Sequence, residues 1–187
     1  MKTKVYFAYV DALQDPALFS RGLQLLPWEE RRQKALDYRC DADKRLSLGA
    51  SLLLLYALTE AGVKDFDLSL GPYGKPYLTN RSDICFSLAH SGKAAVCAIG
   101  DSEIGIDVEY KRSAHLELAR RVFSASEISV LRLAADPDDE FTRLWTRKES
   151  LLKLKGTGFA LPQTEEASAV FSEMIVGDYR VCVATDT

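Results

Sequence analysis

The stretch Ile104-Gly105-Ile106-Asp107-Val108-Glu109 decides how the chain is read. It alternates strictly, and a side-chain period of two places Ile104, Ile106 and Val108 on one face of a strand and Asp107 and Glu109 on the other. Such a pattern also serves an ordinary half-exposed strand with its polar face in water. Two features add a second reading. Carboxylates on one face repel each other unless a cation lies between them, and Gly105 suits a place where a ligand backbone or a phosphate comes close.

Downstream, Glu140 to Lys155 projects as a helix on which Leu144, Trp145, Leu151 and Leu152 fall in one arc about Phe141. Lys148 falls near the middle of that arc, where an ammonium group is costly unless it meets an anion. Glu149 and Lys153 lie one turn apart at its edge, the spacing of a plain surface pair worth about 0.2–0.5 kcal/mol. Together these residues offer three carboxylates and two lysines. That set suits a hard divalent cation that also binds phosphate, because magnesium takes a few carboxylates plus phosphate oxygens and lysines neutralise charge in phosphoryl transfer.

Around this pair of segments the organisation is mixed α and β. Val5 to Val10 reads as a strand, a polar stretch follows, and Pro27 to Arg39 reads as a helix with proline in its first turn. Lys44 to Gly62 is apolar on nearly every face, which marks a buried helix. Gly71 to Pro76 is a loop, and Ile84 to Gly100 reads as two strands broken by a His-Ser-Gly turn. A helix over Ala114 to Phe123 precedes Ser124 and Glu127, which have capping-box spacing, and an apolar stretch to Ala135. Asp136 to Asp139 reads as a loop, and Tyr179 to Thr185 as a last strand. The runs KAAVCAIG and YRVCVAT resemble each other and hint at two related halves.

Composition sets the outer limits. With 187 residues, 47% of them hydrophobic, the chain buries a core without metal or disulfide staples. Its 24 basic and 27 acidic side chains leave a net charge of −3, against the basic surplus that nucleic-acid binding requires. Cys40, Cys85, Cys97 and Cys182 are widely spaced and only His90 and His115 accompany them, so zinc lacks its usual ligand spacing and reduced, buried thiols are expected. The apolar run after Met1 is shorter than the ~7–15 residues of a secretion signal. Leu46 to Thr59 falls short of the about 20 residues that span a bilayer. A cytoplasmic protein without membrane or nucleic-acid partners is the expectation.

At the two segments the sequence resembles the 4′-phosphopantetheinyl transferases. Their signature, a G-[I/V]-D-x-E strand and a W-[S/T]-x-K-E-[A/S]-x-x-K helix, is met by Gly105 to Glu109 and by Trp145-Thr146-Arg147-Lys148-Glu149-Ser150-Leu151-Leu152-Lys153. Further matches lie at Tyr73 to Pro76, Phe86 to Gly92, Phe123-Ser124 with Glu127, and Lys148 to Gly158. The size resembles the Sfp type. That resemblance implies an α+β fold of two similar α/β halves in a pseudo-twofold arrangement, residues 1–102 binding the coenzyme and 103–187 carrying the metal and catalytic motifs, in a monomer. The C-terminal part is short for that type, which implies fewer strands there.

By the same resemblance the reaction moves the phosphopantetheine arm of coenzyme A onto a serine of an acyl, peptidyl or aryl carrier protein and releases adenosine 3′,5′-bisphosphate. Asp107, Glu109 and Glu149 would hold Mg²⁺, with Mn²⁺ as a substitute. Glu149, or a water it polarises, would take the serine proton and Lys153 would stabilise the leaving group. Arg45, Lys75 and Pro76 match contacts to the adenosine part, Arg31 and Lys34 the other contacts to its 3′-phosphate, His90 a phosphate contact, and Lys148 either a phosphate contact or the partner of a carboxylate. Two positions depart from the family pattern. Ala89 replaces a serine whose hydroxyl would face the pyrophosphate, and Leu46 takes the place of a Ser or Thr, with Ser47 one residue later. The competing readings are a coenzyme-binding or carrier-binding module without catalysis, and a magnesium phosphohydrolase.

Overall fold

The computed structural model describes residues 2–156 and 169–186. Strand β1 (Lys4–Tyr9) leads through a 3-10 turn into helices α1 (Pro16–Leu25), α2 (Glu29–Asp37) and α3 (Asp41–Glu60). Short strands β2 (Leu68–Leu70) and β3 (Pro76–Leu78) form a hairpin, and β4 (Cys85–Ser91) and β5 (Ala94–Gly100) a longer one. Then come β6 (Ile104–Tyr110), α4 (Leu116–Val122), α5 (Ala125–Leu133), α6 (Pro137–Lys155), β7 (Ala169–Val176) and β8 (Tyr179–Asp186). Among the described residues no helix is long and apolar enough to cross a membrane.

Two three-stranded antiparallel sheets carry the fold, ordered β1-β5-β4 and β6-β8-β7. In each, the first strand pairs with the last, the last with the one before it, and a long helix covers one face. The resembling runs KAAVCAIG and YRVCVAT are the central strands β5 and β8. Period-two alternation explains why β5 is apolar throughout. Ala94, Val96 and Ala98 meet Ile104, Ile106, Val108, Val181 and Val183 in a core between the sheets, while Cys97 and Ile99 face Leu48, Leu54 and Leu58 of α3. The layers therefore run α3, first sheet, second sheet, α6.

The sheets also meet along β4 and β6. Ser87 Oγ accepts a hydrogen bond from the Ile106 amide at 3.1 Å, and Ser91 Oγ accepts one from the Tyr110 amide at 3.4 Å. These hydroxyls occupy backbone donors that a ladder strand would otherwise take. On its other side β6 lies under α6, and Gly105 is what allows this. A Cβ there would overlap the Ser150 carbonyl oxygen and the Leu154 amide nitrogen. The close approach expected at Gly105 is thus made by the backbone of α6, not by a ligand or a phosphate.

Several elements differ from the sequence reading. The polar stretch after β1 contains α1, started by Asp15, whose side chain accepts from the Ala17 amide, and by Pro16. Helix α6 begins at Pro137 rather than Glu140, because Asp136 caps it through the Asp139 amide. His90 and Ser91 belong to β4, and the turn is Gly92-Lys93, with Gly92 at φ +60°. Strand β7 had no counterpart in the reading. Its signal is Gly177-Asp178 between two β-rich runs, a hairpin turn. All four cysteines are free, with Cys97 and Cys182 buried as expected and Cys40 exposed at the start of α3.

Candidate active site

Beneath α6, the polar face of β6 does not look onto water. Asp107 is 5% exposed, and its Oδ1 accepts a hydrogen bond from Lys153 Nζ at 2.6 Å. Its other oxygen, Oδ2, is buried without a hydrogen-bond partner. Burial pushes the Asp107 carboxyl up to about 7, with Lys153 opposing and the charges of Glu109 and Glu149 adding. Glu149 is likewise raised by burial, with Lys153 opposing and Glu109 adding. The half-exposed strand reading fails at Asp107 for this reason: a helix lies on the polar face, and the carboxylates there share one electrostatic environment.

Glu109 is held at the rim. Ser91 Oγ donates to its Oε2 at 2.7 Å, and Arg112 Nη1 stands 3.6 Å from its Oε1. Among the described residues no three carboxylate, imidazole or thiolate groups are already gathered at metal-binding distance. The donor set nevertheless fits a hard cation. Asp107, Glu109 and Glu149 supply only oxygen, the charges of Glu109 and Glu149 add to the raised proton affinity of Asp107, and among the described residues Asp107 Oδ2 is an acceptor left without a donor.

A cleft of about 380 Å³ opens beside Lys153 and Glu149. Arg31 and Lys34 of α2, Ser47 of α3, Tyr73 to Pro76, His90 of β4 and Gly156 after α6 complete its wall. Five segments far apart in sequence therefore form the cleft, and three of them bring the expected coenzyme contacts Arg31, Lys34, Lys75, Pro76 and His90 to one place. Asp107 and Glu109 approach this cleft through Lys153 and Glu149 and do not line it.

The basic wall is partly desolvated, most of all at Arg31. Arg31 is 7% exposed and its Nε donates to Ser51 Oγ at 3.0 Å, while burial lowers its proton affinity. Lys34 is lowered by burial and then by Arg31. His90 is lowered by burial first, and by the charges of Lys153, Lys34 and Arg31 against that of Asp43. Ser47 is buried with no hydrogen-bond partner for its hydroxyl, whereas Leu46 packs with Val10, Ala50 and Ala95. A buried guanidinium with Lys34 and the half-buried His90 near it, beside an unsatisfied hydroxyl, suits a polyanionic ligand.

Three expected residues have other surroundings. Lys75 Nζ pairs with Glu103 at 2.8 Å and donates to the carbonyls of Ile104 and Leu154, tying the β2–β3 hairpin to the end of α6. Lys148, 4% exposed, meets the anion its position demanded in Glu127, 3.1 Å away. Glu127 also completes the capping box with Ser124. Neither Lys148 nor Arg45 lines the cleft. Of the matched segment Lys148 to Gly158, Thr157 and Gly158 lie outside the described residues. What the sequence reading missed is Ser91 on Glu109 and Ser47 in the cleft. Each follows from packing between elements, which carries no local sequence signal.

Comparisons with known proteins agree with this geometry. Residues 103–174 match the family model of the 4′-phosphopantetheinyl transferase superfamily. A 4′-phosphopantetheinyl transferase of Bacillus subtilis is 34% identical over 164 residues, covering 85% of this chain and 73% of that protein. The 4′-phosphopantetheinyl transferase Sfp of Bacillus subtilis strain 168 is 33% identical over the same shares of each chain. The 4′-phosphopantetheinyl transferase HetI of a Nostoc species is 41% identical over 118 residues, 59% of this chain and 49% of that protein. With the strand and helix motifs inside the matched region and the cleft beside them, the chain belongs to the 4′-phosphopantetheinyl transferase superfamily, in its Sfp-type branch.

Proposed function

We propose that the chain transfers the 4′-phosphopantetheine arm of coenzyme A to a serine of an apo acyl, peptidyl or aryl carrier protein, releasing adenosine 3′,5′-bisphosphate. The observation that carries the reading is the junction of two chemistries at α6. Glu149 and Lys153 face both the carboxylates of β6, Asp107 buried and Glu109 at the rim, and a cleft walled by Arg31, Lys34, Lys75 and His90.

The polyanionic adenosine end of the coenzyme suits the wall formed by Arg31 and Lys34, with Ser47 as a hydrogen-bond donor and Pro76 and Tyr73 against the base. His90 and Lys153 are the donors nearest the metal-binding side and are assigned to the pyrophosphate. Asp107, Glu109 and Glu149 would hold Mg²⁺, or Mn²⁺ in its place. When bound, the cation neutralises charge on the pyrophosphate. Glu149, whose proton affinity burial raises, accepts the proton of the carrier serine as its oxygen attacks the β-phosphate. The new bond is serine oxygen to phosphorus, and the bond broken is phosphorus to the bridging oxygen of the leaving bisphosphate. Lys153 stabilises the charge that develops on that bisphosphate.

The matching strand orders of the two sheets support a division into residues 1–102 and 103–187 as related halves with a pseudo-twofold arrangement, the coenzyme between them. Free thiols support a reducing compartment, and we assign the chain to the cytoplasm as a monomer. The test is incubation with coenzyme A, Mg²⁺ and a panel of apo carriers from fatty acid, polyketide and peptide synthesis. At least one carrier is expected to gain one phosphopantetheine by intact mass. Tight coenzyme binding with no transfer to any carrier would favour the binding-module reading, and phosphate release without a carrier the phosphohydrolase.

A further inference from the structure

We propose that Ser91 is a positioning residue for Glu109, fixing that carboxylate for the divalent cation through a bond that crosses from one sheet to the other. The inference rests on the reading of Glu109 as a cation ligand. A serine hydroxyl has one proton to give, and Ser91 gives it to Glu109 Oε2 at 2.7 Å. Ser91 Oγ itself accepts from the Tyr110 amide at 3.4 Å, so two groups of β6 hold the hydroxyl in place.

Glu109 needs such an anchor. A glutamate loses up to about 2 kcal/mol of rotamer freedom when fixed, and among the described residues the other partner of Glu109 is Arg112, a partly exposed pair at 3.6 Å of the kind worth little. Arg112 approaches Oε1 and Ser91 holds Oε2, so Ser91 sets the direction from which the carboxylate meets its surroundings. Successive residues of β4 point to opposite faces, so Ser91 turns to Glu109 while His90 turns to the cleft. One strand thus aligns a phosphate contact and a cation ligand. Ser87, four residues earlier on the same face of β4, accepts from the Ile106 amide in the same way but, among the described residues, hydrogen-bonds no carboxylate. It provides the comparison that separates positioning from simple joining of the sheets.

The experiment is titration of the full chain with Mg²⁺ alone by calorimetry, together with melting curves. Ser91→Ala is expected to weaken Mg²⁺ binding roughly 10-fold, the size of effect that partners of metal-binding side chains usually have. Ser91→Thr, which keeps the hydroxyl, restores most of it. Ser87→Ala lowers the melting temperature and leaves Mg²⁺ affinity as it was. In turnover with a carrier, Ser91→Ala raises the Mg²⁺ concentration for half-maximal rate more than it lowers kcat. Mg²⁺ affinity of Ser91→Ala equal to that of the unaltered chain, or an equal loss in Ser87→Ala, would overturn the proposal. If Ser91→Ala does not fold, Ser91→Cys, a weak donor, is titrated in its place with the same expectation. Asp107→Asn is run alongside. Undiminished Mg²⁺ binding in that variant contradicts the carboxylate site itself, a result distinct from failure at Ser91.

Discussion

Lys153 Nζ lies 2.6 Å from Asp107 Oδ1, and among the described residues the second oxygen of that buried carboxylate has no hydrogen-bond partner. One ammonium therefore compensates half of a carboxylate that β6 and α6 have removed from water. The other half is an acceptor awaiting a donor or a cation, and several measurable properties follow from that imbalance.

The first concerns pH. Burial puts the folded Asp107 carboxyl at about 7, above its ordinary value of 3.8, so the folded chain binds this proton more tightly than the unfolded chain. Stability from this group is complete below its unfolded pKa and is lost as pH rises through about 7. Without divalent cations, the melting temperature of the unaltered chain relative to Asp107→Asn should fall between about pH 4 and pH 7. Mg²⁺ at the upper end should reverse the fall, since the proposed cation site takes ionised Asp107 as a ligand. A difference that stays flat with pH would contradict the assignment.

Gly105 tests the contact between β6 and α6. Any side chain there must push the helix off the strand at Ser150 and Leu154. Gly105→Ala is expected to cost at or beyond the upper end of the ~1–3 kcal/mol usual for overpacking, read by chemical denaturation. Because Glu149 and Lys153 ride on the same helix, activity should fall by more than the folded fraction does.

Arg31 tests the coenzyme wall. Among the described residues it bonds Ser51 and has no ion pair, so its charge is available to a ligand. A charge-assisted bond worth about 1.5–3 kcal/mol corresponds to a rise of roughly 10–100-fold in KM for coenzyme A in Arg31→Ala. With dephospho-coenzyme A, which lacks the 3′-phosphate, the same substitution should matter far less. Equal losses with both substrates would place Arg31 elsewhere on the ligand.

Lys148 and Glu127 form a buried pair, 3.1 Å apart, between α6 and α5. Removing one member leaves an uncompensated charge, so Lys148→Met should cost about 3–5 kcal/mol of stability. The double variant Lys148→Met with Glu127→Gln should recover much of that, because the glutamine side chain can still cap Ser124. A stable Lys148→Met with a raised KM for coenzyme A would instead return Lys148 to the ligand.

The motif residues were legible because their constraints are local. Alternation put Asp107 and Glu109 on one face, helical projection put Lys148 on an apolar arc, and both placements hold in the fold. The apparent anomalies proved structural where the partner was another element: Gly105 accommodates α6, and Lys148 meets Glu127. Helix α1 was legible in principle, from its start at Asp15-Pro16 and the amphipathic pattern of its ten residues, which only Gly22 interrupts. The start of α6 was misplaced since Asp136-Pro137 reads as a turn until the Asp139 amide is seen on the Asp136 side chain. The seam of Ser87 and Ser91 with β6, and the meeting of five segments around the cleft, are non-local. No period or spacing along the chain encodes them.

The central claim is transfer to a carrier serine by a cation-dependent site at α6. Its most direct measurement is the intact mass of an apo carrier and of its serine-to-alanine variant after incubation with coenzyme A, Mg²⁺ and this chain. The account predicts one added phosphopantetheine on the first and none on the second, with one adenosine 3′,5′-bisphosphate released per carrier modified, and loss of the gain in Asp107→Asn and Glu149→Gln. Full mass gain with both of those variants, or bisphosphate release that does not depend on the carrier serine, would contradict it.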